Sequence, residues 1–153
     1  MKKYFDGLAI MIASAWVGGM WVIGYVVAPV LFQALMDKTL AGMLAGRLFA
    51  VMAYVGMVSA LYLMLYEYQV HGKQATSRSL FRIVALMLLL VLIGQFAMQP
   101  LLAEIKAQAL PLYVMDSPYA DRFMYWHGAA SIVYLIQSLL GAVLLLKVYR
   151  DKP

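Results

Sequence analysis

Four long apolar runs set the limits of what this chain can fold into. They cover about 7–32, 48–66, 83–102 and 123–146 of its 153 residues, and a helix needs roughly 20 residues to cross the hydrocarbon core of a bilayer. No run alternates with period two for long, and each exceeds the usual length of a membrane strand. Helices bond their own backbone groups, which lipid cannot do for them. Hydrophobic residues make up 65% of the chain and charged residues only 12%. In water such a composition would expose apolar patches wide enough to aggregate. The expected fold is all-α: an integral membrane four-helix bundle, a single transmembrane domain over residues 1–153. The loops between runs leave no room for a separate soluble catalytic module.

Lys2 and Lys3 precede the first run as they would in a signal peptide. The run is longer than a signal core, and it carries Trp16, Trp21, Tyr25 and Pro29, so it reads as a retained span. Basic residues orient the chain. Lys2, Lys3, Lys73, Arg78, Arg82, Lys147, Arg150 and Lys152 fall on one side, and Lys38, Arg47, Lys106 and Arg122 on the other. The positive-inside rule then places both termini in the cytoplasm, across the plasma (inner) membrane if the source is bacterial. Residues 41–49 read as a short helix running into the second span, and 101–110 as an extension of the third. Pro111 and Pro118 break the chain before Asp121 and Arg122 open the fourth span. No internal repeat stands out.

The net charge of +5 is spent at the ends of apolar runs, so a nucleic-acid partner is not expected. With no cysteine, disulfides, thiolate metal sites and cysteine nucleophiles are excluded. The 12 methionines mostly stand singly in apolar runs, and His71 and His127 lie on opposite sides. No metal site and no cofactor is therefore assigned.

Polar side chains within spans are costly unless paired, so they mark where function would sit. His127, Ser131, Tyr134 and Ser138 form one stripe on the fourth span. Gln95 and Gln99 share a face of the third, and Pro100 frees a backbone carbonyl one turn earlier. With Gln33 and Arg47, these residues fall near the outer ends of their spans. The expected site is an outward-facing polar pocket formed by His127, Arg47, Gln95, Gln99, Ser131 and Tyr134. Trp16 and Trp21 are too deep for an interfacial belt and are candidates to line it. Hydrogen bonding between helices is the plainer reading of the Ser and Tyr stripe, and head-group contact is the plainer reading of Arg47. Small residues four apart, Ser14 and Gly18, Ala15 and Gly19, Gly24 and Ala28, and Gly42 and Gly46, predict close helix packing or dimerisation, and Gly128 and Gly141 let neighbouring helices come close to the fourth span.

Several stretches together carry a resemblance. Residues 15–21 read A-W-V-G-G-M-W, 25–32 Y-V-V-A-P-V-L-F, 41–49 A-G-M-L-A-G-R-L-F and 123–131 F-M-Y-W-H-G-A-A-S. With the pattern from Phe96 to Pro100, they resemble the transmembrane protein 205-like family over most of the chain. The resemblance implies a four-helix membrane domain of unknown function. It places Trp16, Gly19, Trp21, Leu31, Phe32, Leu48, Phe49, His127, Gly128 and Ser131 among the family-pattern positions. The vertebrate member's association with platinum-drug resistance suggests export or trafficking.

Two functions compete. One is binding or export of a small solute or soft metal through the outward pocket. The other is a non-enzymatic accessory or assembly protein that packs against other membrane proteins or a second copy of itself. A membrane enzyme or quinone carrier ranks last, because no paired carboxylates, nucleophile with a base, or ligand set appears in the spans.

Overall fold

The computed structural model describes residues 2–150, with side chains from Gly7 to Arg150. Lys152 and the side chains of Lys2 and Lys3, which weigh in the charge pattern, lie outside the described residues. The first span is α1 (Lys2–Val22), a π-turn at Ile23–Val27, and α2 (Ala28–Ala34). The second is α3 (Lys38–His71), followed by a 3-10 turn at Gly72–Ser77. The third is α4 (Ser79–Ile93), a second π-turn at Gly94–Met98, and α5 (Gln99–Ala109). A short 3-10 turn at Val114–Asp116 leads to the fourth, α6 (Ala120–Arg150). The described residues contain no strand, and all four spans are long and apolar enough to cross a membrane. The protein is an all-α four-helix membrane bundle.

The helices overrun the apolar runs. α3 starts at Lys38 and takes in the expected helix over residues 41–49, while the third span continues to Ala109. Local chemistry sets the ends. Asp37 accepts from the Leu40 N–H at 3.0 Å and caps α3. Lys38 Nζ donates to the Phe32 and Leu35 carbonyls at 2.6 and 2.9 Å, satisfying the end of α2. Gly72, at φ 56°, turns the chain out of α3.

Both π-turns have one cause. Pro29 and Pro100 each stand two residues beyond a π-turn. Proline has no N–H to donate, and its ring crowds the carbonyl four residues back. The preceding turn widens, so that the Ala28 N–H reaches the Ile23 carbonyl and the Gln99 N–H reaches that of Gly94. The sequence reading found no repeat, yet the first and third spans carry the same device at matching places.

The core lies toward the end of the bundle where α1 begins, α6 ends and the 72–78 turn sits. There α1 packs on α3 and α6, and α4 packs on the same two helices. Ala13, Val17, Val84, Met87 and Leu144 are fully buried. Two glycines permit the approach. A Cβ on Gly56 would sit 2.7 Å from Trp16 Nε1, and one on Gly141 would sit 3.0 Å from Val17. Beyond this core, Glu67 is only 4% exposed. It accepts from Arg78 Nε at 3.1 Å, and His71 Nδ1 lies 3.4 Å away. Lys147 Nζ donates to Ser79 Oγ at 2.8 Å and joins the end of α6 to the start of α4.

Candidate functional site: a cleft between two hairpins

The first two spans form one helical hairpin and the last two form another. At the end bearing residues 35–37 and 110–119, α2 packs on α3, and α5 on α6. Each contact stays within its own hairpin. Between the hairpins lies a cleft of about 970 Å³, lined by all four spans and by residues 112–115. Its floor is Trp16, Met20 and Gln137; the π-turns contribute Gly24, Tyr25, Gly94 and Gln95; Lys38, Lys106, Phe123 and His127 stand at the mouth. From His127 to Gln137 is ten residues of α6, or roughly 15 Å at 1.5 Å per residue.

Tyr134 and Tyr25 close the floor. The Tyr134 hydroxyl donates to the Met20 carbonyl at 2.6 Å, and the Tyr25 hydroxyl donates to Ser138 Oγ at 2.9 Å. Tyr134 meets Tyr25 and Phe49 edge to face, with ring centres 6.2 and 5.2 Å apart. Gly24 lies against the Tyr134 ring so closely that a Cβ there would overlap it. Tyr25 and Leu135, both 51% exposed, line the cleft.

The mouth is positive. Lys106 Nζ lies 5.7 Å from the centre of the Phe123 ring, which stacks on the His127 imidazole at 5.3 Å and 11°. Among the described residues no carboxylate side chain lines the cleft, and Lys106 has no carboxylate partner. Lys38 is already engaged with the carbonyls that end α2. Gln137 is 4% exposed, and neither its Oε1 nor its Nε2 has a hydrogen-bond partner. Met20, Met52, Met98, Met115 and Met124 also line the cleft. No group of three or more His, Asp or Glu residues gathers among the described residues.

His127, Gln95, Gln99, Ser131, Tyr134 and Trp16 all line this one cleft. Arg47 does not. It is exposed on α3, off the cleft, and Lys106 takes the place expected of it beside His127. Gln33 is likewise exposed and off the cleft. Trp21, 37% exposed, faces away from the cleft. Ser131 bonds locally, its hydroxyl donating to the His127 carbonyl at 2.8 Å.

The expected packing role is redistributed among the glycines. Gly24 and Gly19 meet neighbouring side chains, Gly19 at 3.1 Å from Met52, whereas a Cβ on Gly18 or Gly128 would have no atom within 4 Å. Gly18 faces outward from the bundle, and Gly128 opens onto the cleft.

Sequence reasoning missed Lys106 and Gln137, although each left a signal. Lys106 continues the stripe of Gln95 and Gln99 through Leu102, at spacings of four, three and four. Gln137 stands one turn past Tyr134, where the reading followed Ser138 instead.

The family described as Domain of unknown function (DUF4149) matches residues 11–111, about two thirds of the chain. The chain belongs to this family. The matched segment holds both π-turns, Trp16, Gln95, Gln99 and Lys106, whereas His127 and Gln137 lie beyond it. No curated protein and no solved structure matches the chain.

Proposed function

We propose that this protein is a non-enzymatic membrane protein that binds a small amphipathic solute in the cleft between its hairpins. The observation that carries the reading is the cleft itself. It is large enough for a lipid-sized molecule, apolar along most of its walls and positive at its mouth. Export fits the same site and is what the sequence resemblance to the transmembrane protein 205-like family implies. A soft metal fits less well, because one imidazole and dispersed thioethers do not form a ligand set. Both termini are proposed to be cytoplasmic, since Lys73, Arg82, Lys147 and Arg150 cluster at their end of the bundle. Reporter fusions at residue 110 and at the C terminus are expected on opposite sides; the same side for both would sink the orientation.

The binding test uses Gly128→Phe, which fills the cleft from a position where a Cβ meets nothing. Small molecules retained through purification in mild detergent are expected with the wild type and lost from the variant, at unchanged melting temperature. Equal retention by both proteins would refute the cleft as the binding site.

A second reading, assembly with another membrane helix, rests on the outer face of α1. Ser14 is exposed there, and Gly18, four residues on, has open space above it. The chain has no cysteine, so Ser14→Cys gives a single reactive site. Efficient disulfide dimers of that variant in membranes, lost on adding Gly18→Leu, would support a second copy as the partner. Absence of cross-linking would argue against it.

A further inference from the structure

Resting on the cleft reading, we infer that the ligand is an elongated anionic amphiphile. Its acidic head, a carboxylate or phosphate, sits beside Lys106, and a neutral hydrogen-bonding group meets Gln137 roughly 15 Å further in. Two independent features demand these groups. Lys106 is a partly buried cation without a carboxylate partner among the described residues, so the mouth lacks a counter-anion. Phe123 and His127, stacked beside it, form a flat aromatic wall for a head group.

Gln137 is the stronger clue. Native interiors rarely leave a buried amide bare, because both its polar atoms lose water with nothing in return. Here both atoms are bare, and the residue borders the cleft. An amide donates through Nε2 and accepts through Oε1, so its best complement is a group that can do both, such as a hydroxyl or a secondary amide. The Tyr62 hydroxyl is also buried without a partner, but it packs against the core and does not line the cleft. Between the two polar stations Met52, Met98, Ala130 and Val133 line the cleft and suit an alkyl chain, with Gln99 and Ser131 among them, the Ser131 hydroxyl already engaged with the His127 carbonyl. A simple fatty acid would leave Gln137 unmet, and a free inorganic anion would leave the apolar walls uncovered.

The test is competitive binding to the delipidated full-length chain, read by native mass spectrometry from mild detergent. The probes are stearate bearing a mid-chain hydroxyl, plain stearate, and the methyl ester of the hydroxylated acid, with inorganic phosphate as competitor. The wild type is expected to prefer the hydroxylated acid over stearate by roughly five-fold and over its methyl ester by roughly ten-fold, as one neutral and one charge-assisted hydrogen bond would give. Gln137→Leu should erase the first preference alone, and Lys106→Met the second alone. Should the leucine variant fold poorly, Gln137→Met serves the same comparison with less change of shape.

Equal uptake of the three probes by the wild type would overturn the inference while leaving the cleft reading intact. Displacement of the hydroxylated acid by equimolar phosphate would overturn it too, since the anion alone would then be the ligand. Undiminished adducts on Gly128→Phe would place the molecules elsewhere and defeat the cleft reading as well.

Discussion

The two ends of this bundle solve opposite problems with the same four helices. At the terminal end, glycine is used to bring helices together: Gly56 accepts the Trp16 indole and Gly141 accepts Val17. At the loop end glycine leaves room, and Gly46, Gly94 and Gly128 border the cleft with nothing within 4 Å of a Cβ. Charge follows the same division. Glu67 is buried against Arg78 and His71, whereas Lys106 faces the cleft without a carboxylate among the described residues. The Pro-linked π-turns lie on the cleft side of the boundary, in the two spans that face each other across it. Small residues in a membrane helix therefore do not by themselves mean contact. Their role depends on whether the neighbouring helix approaches or diverges.

The sharpest way to break this contrast is Gly56→Leu. The side chain would collide with a tryptophan that is 1% exposed and cannot retreat, so a loss of about 3 kcal/mol is expected, measured by unfolding in mixed detergent micelles. A wild-type melting curve would show that the core is looser than its packing implies. Arg78→Met comes next. Among the described residues it leaves the Glu67 carboxylate, 5% exposed, with His71 beside it. The expected loss is about 2 kcal/mol, toward the low side for a buried pair because Arg78 itself is partly exposed. The double variant Glu67→Met with Arg78→Met should be more stable than Arg78→Met alone, because it removes the stranded charge. An additive double variant would refute the pairing.

Tyr134→Phe removes the 2.6 Å hydrogen bond to the Met20 carbonyl at the boundary between the two regions. A loss of about 0.6 kcal/mol is expected, the usual size for a hydrogen bond between membrane helices. A loss several times larger would mean that Tyr134 holds the hairpins together. The smallest effect belongs to the cleft. Gly128→Phe should change stability by less than about 0.5 kcal/mol, because it fills space and displaces nothing. Strong destabilisation there would mean that the cleft is narrower than 970 Å³ implies.

Much of this molecule was legible in the residues. The four runs, the helical lead into the second span, the extension of the third past Leu102 and the break at Pro111 all follow from apolar length and backbone chemistry, which act locally. The clustering of His127, Ser131 and Tyr134 with Gln95 and Gln99 was also readable, since spacings of three and four place residues on one helix face. Arg47 and Trp21 failed that reading because a shared depth says nothing about rotation.

The sequence by itself determined that the chain spans a membrane as four helices, that the second and third run past their apolar stretches, and that Pro100 disturbs the third. Tertiary structure alone decided which faces look inward. In a soluble helix the apolar stripe marks the buried side. In lipid both the buried and the outward faces are apolar, so that signal vanishes. Gln137 and Lys106 therefore came to border one cleft, and Arg47 came to stand outside it, only once the two hairpins had packed at one end and parted at the other.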